Sequence, residues 1–414
     1  MIIRKEDHSG PCSCGRDHAL STQLCVIESG SLLRIAEYLE ACNISGNGVV
    51  VYDENTYRAT EGRHPAAMHE IVLSPEGLHA DDHAVALVMP QIPEGCDYLI
   101  AVGGGSIHDV TRYCAYKKGV PFVACPTCAS VDGFCSSVAA VTWEGFKKTL
   151  SAVSPTLVVA DLDVIRFAPV HLAKAGFADL MGKYIALTDW KIGHILTGEY
   201  FCPTIFDMTQ VAAQKVLECA HLITERDEAA YEKLMYGLIL SGLAMQLLGN
   251  SRCASGAEHH VSHLIEMEPE GLGAHSDALH GEKVGVATLL YCEEYHRLKN
   301  TPEVFAHDYV PATAEEVENF FGKRLCQSVM EENARDCAAG ITAEHFRNCF
   351  PQIAAVLDEI PTAEHLHRIY EELDVMSTLS DLGVDDSKKD IIFHYSPIVR
   401  NRLTLMRLKR GMKA

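Results

Sequence analysis

The sequence predicts an α/β domain followed by an all-helical domain, and three observations lead there. Between residues 48 and 163, short β-rich runs alternate with helical patterns, which implies a parallel sheet with helices on both faces. One of those runs passes straight into three consecutive glycines and a helix, the layout of a Rossmann-like unit. From about Ala168 onward the β-branched runs nearly vanish and long segments of helical periodicity take over. At 414 residues the chain has room for two domains of roughly 100–200 residues or more, divided here as 1–167 and 168–414.

The strands follow in order. GVVVYD (48–53) reads as a buried strand ending in an acid, and HEIVLS (69–74) as a second. CDYLIAVGGGS (96–106) runs into the glycine turn, VPFVACPT (120–127) comes next, and TLVVADLD (156–163) closes the set. Before that last strand, SSVAAVTWEGFKKTLSAV has β-patterned arms about Glu144-Gly145, a hairpin inserted in the α/β unit. Helical periodicity runs through residues 171–196, and the apolar stretch Gly237–Leu248 is a buried helix, too short to span a bilayer. The tail, residues 399–413, reads as a basic amphipathic helix packed against an acidic body.

Composition excludes several functions. Apolar residues make up 48% and charged residues 22%, an ordinary globular mixture. A net charge of −21 argues against nucleic-acid or anionic-membrane binding, both of which need a basic surface. It leaves room for an anionic small substrate, because a helix N-terminus binds phosphate even on an acidic protein. The start lacks the apolar core of a secretion signal, and the 16 scattered cysteines read as thiols in a reducing cytoplasm. Cys12, Cys14 and His18 in PCSCGRDH could hold zinc, but their spacing is not a strong zinc-finger pattern. They read instead as a structured turn before the first strand, outside the site.

VGGGSIHD (102–109) lets the backbone approach a pyrophosphate, and the helix that follows offers free N–H groups. His108 breaks the GxGxxG spacing. Asp53, at a strand end, can accept both hydroxyls of an adenosine ribose and would repel a 2′-phosphate, favouring NAD over NADP; it is equally a common turn residue. In PTCASVDGFCSS (126–137), Thr127, Ser130 and Ser136 could bond a nicotinamide and Asp132 a polyol hydroxyl, or the loop could simply be capped.

Five histidines fall between residues 255 and 286, out of 21 in the chain. His259 and His263 share a helix face; His280 opens a later helix, and His260 and His275 point elsewhere or lie in a loop. A catalytic cation needs about three protein ligands. Asp179, in the apolar helix AGFADLMGK, is the candidate carboxylate, with Lys183 as a competing salt-bridge partner.

In this order VGGGSIHD, PTCASVDGF, the ADLD at 160–163, AGFADLMGK, SGAEHHVSH and LHGEKVG resemble the glycerol-1-phosphate dehydrogenase family, most closely its bacterial AraM-type branch. That family lies within the iron-containing alcohol dehydrogenase and dehydroquinate synthase-like superfamily. The resemblance covers about Val49 to Tyr295. It implies Asp179, His259 and His280 as ligands of one divalent ion (zinc, nickel or iron), with His263 and Asp132 contacting substrate. It makes Gly103, Gly104, Gly105, Ser106 and Ile107 the pyrophosphate loop, and Thr127, Ser130, Ser136 and Asp53 further NAD(H) contacts, NADP(H) being disfavoured. The implied reaction interconverts sn-glycerol 1-phosphate and dihydroxyacetone phosphate, with Lys183, Arg252 and Lys283 as candidate phosphate partners. The rivals are a dehydrogenase of another small polyol such as glycerol, a dehydroquinate synthase-like cyclase, and a non-catalytic binding protein. A homodimer is the expected assembly, with no nucleic-acid partner and no membrane insertion. NSRCASG (250–256) departs from the family, carrying Cys253 where relatives tend to have proline.

Overall fold

The computed structural model describes residues 1–144 and 146–411. Gly145, at the tip of the expected hairpin, and residues 412–414 of the expected tail helix lie outside the described residues. Packing divides the chain into two compact units. The first holds Met1–Leu180 and Asp207–Asn250, the second Met181–Phe206 and Ser251–Ala414. The change of secondary structure near residue 167 is therefore not where compactness divides: two further segments of helix belong with the sheet.

In the first unit, β1 (Ile2–Arg4), β4 (Leu24–Glu28), β5 (Gly48–Asp53), β6 (His69–Leu73), β7 (Tyr98–Gly103), β8 (Phe122–Pro126) and β11 (Leu157–Asp161) form one sheet. Their order is β1-β4-β11-β8-β7-β5-β6. All neighbours pair parallel except β1 with β4. Every residue of β7, β8 and β11 is buried, as apolar runs covered on both faces require. The five expected strands are all present. β1 and β4 were not expected, because three- and five-residue runs set among turns carry little periodicity.

Two antiparallel pairs stand outside this sheet: β2 (Gly10–Pro11) with β3 (Asp17–His18), and β9 (Val138–Trp143) with β10 (Phe146–Ser151). The second pair is the expected inserted hairpin. Helices α1 (Lys5–His8), α2 (Ile35–Ala41), α3 (Glu54–Ala59), α4 (Asp82–Val88), α5 (Gly105–Lys118) and α6 (Leu162–Ile165) fill the connections. They are followed by α7 (Val170–Met181) and, after an excursion into the second unit, by most of α9 (Pro203–Leu217) and by α10 (Glu228–Leu248).

Close approach fixes the loop after β8. A Cβ placed on Gly176 of α7 would lie 2.0 Å from the Ala129 carbonyl oxygen, and one on Gly242 of α10 2.7 Å from the Cys135 Cβ. From the opposite side the buried Arg112 of α5 donates to the carbonyls of Phe134, Ser136 and Val138, at 2.8, 2.9 and 3.1 Å. The loop from Thr127 to Val138 is thus held by three helices and is not free to wander.

The second unit is helical: α8 (Lys183–Thr197), α11 (Ala257–Met267), α12 (His280–Asn300), α13 (Ala314–Glu332), α14 (Ala343–Leu357), α15 (Ala363–Leu373), α16 (Lys389–Tyr395) and α17 (Leu405–Gly411). One buried carboxylate ties four of them. Asp189 of α8 accepts the hydroxyl of Tyr295 (2.8 Å) and the N–H groups of Ala257 and Leu405 (2.9 Å each). Those partners stand on α12, at the start of α11 and at the start of α17.

The expected helix over 399–413 is shorter, because Arg407 turns inward. Its guanidinium donates to the carbonyls of Pro397 and Arg400 and pairs with Asp336, which requires a non-helical stretch before Leu405. Arg410 meets Glu316 and Lys409 meets Glu294, so the basic tail does pack on acidic groups. Among the described residues no helix is long and apolar enough to cross a membrane.

Gly176→Ala tests the close approach in the first unit. Overpacking of this kind costs about 1–3 kcal/mol, which opposes the roughly 1 kcal/mol that alanine gains over glycine in a helix. A net loss of denaturant stability is expected, whereas Gly→Ala at an uncrowded helix position would stabilise.

Candidate active site

Candidate residues occur in both units. In the first, β7 ends at Gly103 and α5 begins at Gly105, with Gly104 in an extended conformation as its N-cap. The three glycines have different reasons to lack a side chain. A Cβ on Gly103 would lie 2.6 Å from the Cβ of Ile107, so packing against the first turn forbids it. Added to Gly104 or Gly105, it would meet nothing closer than 3.7 Å (Cys128 Sγ) and 3.5 Å (Val131). There the missing atom leaves open ground beside the first-turn N–H groups, where a phosphate can be approached. The residues present therefore fit a dinucleotide.

His108 explains the failed GxGxxG spacing. Its ring is buried against Phe134, centroids 4.9 Å apart, and its Nδ1 bonds the Gly104 carbonyl at 2.8 Å. Burial pushes it down to about 3, so it stays neutral. A packed core ring thus stands where the GxGxxG spacing would place glycine.

Thr127 donates its N–H to the Gly103 carbonyl (3.0 Å), joining the loop after β8 to the glycine turn. Ser130 is buried and accepts from the Cys128 thiol, while Ser136 accepts the Val138 N–H at 3.1 Å, a local cap. Ser106 and Ile107 occupy the first turn of α5, where Ile107 faces Gly103. Asp53 caps α3, its Oδ1 accepting the N–H groups of Asn55 (2.8 Å) and Thr56 (3.0 Å), so the turn role of this acid is realised.

Asp132 and Asp179 come together in this unit. The Asp132 N–H donates to Asp179 Oδ2 at 3.0 Å, and Asp132 Oδ2 accepts the Ser241 hydroxyl at 2.8 Å. Asp179 is fully buried. Ser241, in the middle of α10, had no signal in the sequence: nothing marks one serine in an apolar helix as a carboxylate's partner.

In the second unit, α11 and α12 bring three imidazoles together. Ring centroids lie 5.2 Å apart for His259 and His280, 5.7 Å for His263 and His280, and 6.2 Å for His259 and His263. Ligand nitrogens of His259 and His280 fall within 4.8 Å of one another. Each ring is oriented by a glutamate. His259 Nδ1 bonds Glu258 Oε1 at 2.7 Å, and His280 Nδ1 lies 2.9 Å from Glu266 Oε1 and 3.0 Å from the Ser262 hydroxyl. A carboxylate acceptor places the proton on Nδ1 and turns Nε2 outward as a donor of electrons. This is the chemistry of a cation site, so the donor set fits a metal.

His263 stands beside the pair with 20% of its side chain exposed, its Nδ1 3.6 Å from Glu266 Oε2. Burial lowers both His263 and the fully enclosed His260, keeping them neutral. His275 is exposed in the loop before α12 and pairs with Glu268 and Asp277. Glu258 and Glu266 were missed in the sequence reading. Their signals were position alone, one directly before His259 and the other one turn beyond His263 on the same helix.

The three cations named for a phosphate all donate to protein acceptors. Lys183 Nζ reaches the Ala254 carbonyl (3.0 Å) and Lys283 Nζ the Ala278 carbonyl (2.7 Å). Arg252 spans Glu199 and the carbonyls of Asp189 and Leu403.

Comparison with known proteins gives the family. The iron-containing alcohol dehydrogenase family model matches residues 26–169. In sequence, the chain is 33% identical over 408 residues to the glycerol-1-phosphate dehydrogenase (NAD(P)+) of Halalkalibacterium halodurans, covering 95% of this chain and 94% of that one. In fold it is similar to a probable glycerol dehydrogenase from Sinorhizobium meliloti 1021, with TM-score 0.62 at 19% identity over 94% of each chain. It is similar too to sulfoacetaldehyde reductase from Bifidobacterium kashiwanohense in complex with NAD+, with TM-score 0.61 at 17% identity over 96% of this chain and 97% of that one. Matched along nearly the full length of both chains at one identical residue in three, the protein belongs to the glycerol-1-phosphate dehydrogenase family.

Proposed function

We propose that the chain is a metal-dependent oxidoreductase interconverting sn-glycerol 1-phosphate and dihydroxyacetone phosphate with NAD(H). The observation that carries this reading is the pair of outward Nε2 atoms on His259 and His280, each set by a glutamate, in a chain of this family. Asp179 is the third ligand, a buried carboxylate on the helix that ends where the chain passes into the second unit.

A divalent ion held by Asp179, His259 and His280 would supply Lewis acidity to the substrate's C2 oxygen, and a bound nicotinamide dinucleotide would supply or accept the hydride. This chain's own residues bind and orient. The glycine turn, with Gly103, Gly104, Gly105, Ser106 and Ile107, presents first-turn N–H groups to the pyrophosphate. Thr127, Ser130 and Ser136 line the loop assigned to the nicotinamide end. Asp53 serves the ribose and favours NAD over NADP. Asp132, held by Ser241, accepts a substrate hydroxyl. His263, a neutral imidazole, bonds a second hydroxyl and passes on its proton.

Zinc, nickel and iron all suit two imidazoles and a carboxylate. Residues 1–167 serve the nucleotide, with Asp132 adding a substrate contact, and residues 168–414 serve the metal and substrate. A cytoplasmic homodimer completes the reading.

The purified protein should oxidise NADH steadily with dihydroxyacetone phosphate. Chelation should abolish the rate, and one of the three metals should restore it. A cyclase would not consume NADH, and a polyol dehydrogenase would act as well on dihydroxyacetone, so either result discards the phosphate-specific assignment. His259→Ala should abolish both turnover and binding of this ion while leaving NADH binding intact, as read by fluorescence titration. Glu266→Ala tests the orienting role: metal affinity should fall roughly 10–100-fold with NADH affinity unchanged, and excess metal should recover part of the rate.

A further inference from the structure

The connection from β1 to β4 contains β2 and β3, a hairpin with only two paired positions: Gly10 opposite His18 and Pro11 opposite Asp17. So short a ladder does not hold itself together in water. Its turn is well formed nonetheless. Cys12 exchanges backbone bonds with Arg16 and Gly15, at 3.0 Å each, and Gly15 has φ +85°, where a side chain would be strained. That turn points Cys12, Cys14 and His18 at one spot: their ligand atoms lie within 4.8 Å of one another.

His18 supplies the decisive detail. It is buried, and its Nδ1 lies 3.0 Å from the Leu247 carbonyl oxygen, which can only accept. The proton therefore sits on Nδ1, and Nε2 carries a lone pair. That Nε2 is 3.3 Å from Cys14 Sγ. A tetrahedral zinc with sulfur at about 2.3 Å and nitrogen at about 2.0–2.1 Å sets its S and N ligands about 3.6 Å apart, close to this spacing. None of the cysteines is in a disulfide.

We propose that Cys12, Cys14 and His18 hold a structural zinc ion. The ion clamps a hairpin that has almost no ladder of its own and anchors the segment leading into β4. Two thiolates and one imidazole on one short turn make a soft donor set suited to zinc. This site is separate from the histidine pair of α11 and α12.

The test uses the full chain carrying His259→Ala, which removes the catalytic ion from the count. Expressed with zinc in the medium and purified without chelator, it should hold about one zinc per chain, with sulfur neighbours at about 2.3 Å in X-ray absorption. Cys14→Ser in that background should lose this zinc; should that variant not fold, the sulfur signal of the parent decides alone. A folded, NADH-binding His259→Ala protein without zinc, or with zinc bound only to nitrogen and oxygen, overturns the proposal. Failure of the catalytic assignment looks different, since His259→Ala would then keep its turnover whatever the thiol site holds.

Discussion

Two glutamates decide what the histidine cluster can do. An imidazole has two nitrogens, and only the one without hydrogen can donate electrons to a cation. Glu258 and Glu266 settle that choice for His259 and His280 by taking the Nδ1 proton as a hydrogen bond. Glu258 depends in turn on where α11 begins. Asp189 receives the first N–H of α11, and the Glu258 side chain accepts the N–H of Gly256 at 2.8 Å. Burial pushes Asp189 up to about 7 against the pull of Arg252, a cost that the second unit carries to hold four elements on one acid.

A comparable economy governs the first unit. The loop between β8 and β9 bears Thr127, Ser130, Asp132 and Ser136, all polar, and it follows a strand whose residues are all buried. A loop in that position would carry unsatisfied backbone groups unless they were bonded. Arg112 meets three of its carbonyls, Asp179 meets the Asp132 N–H, and two glycines let helices close over it. A carboxylate buried as deeply as Asp179 needs such partners. The proposed ion would add the strongest of them.

Arg252 shows what a buried cation does for the fold. Beside a family motif on an acidic protein, it looks like a phosphate ligand. In the structure its guanidinium joins Glu199 to two backbone carbonyls, and its Nη2 bonds sit at 2.7 and 2.6 Å. Arg407 behaves the same way toward Pro397, Arg400 and Asp336, which is why the C-terminal helix is short. Buried arginines here serve as cross-links for irregular backbone, a role their planar five-donor fork suits.

The sequence by itself determined the α/β-then-helical order, the five central strands, the glycine turn and the cluster of histidines, because each is written in local periodicity or in residue type at short spacing. It also singled out Asp179, from the cost of a charge in an apolar helix, and Asp132, as the one acid in a loop of small hydroxylated residues. Only the tertiary structure decided that Asp132 and Asp179 share a hydrogen bond, that Ser241 completes the pair, and that Glu258 and Glu266 orient the rings. It alone grouped Gly176 and Gly242 with the loop they press on, and turned Cys12, Cys14 and His18 from a turn into a candidate ion site. The reason is common to all of these. Hydrogen-bond partners separated by dozens of residues leave no periodic trace along a chain, and they become neighbours only once the backbone is packed.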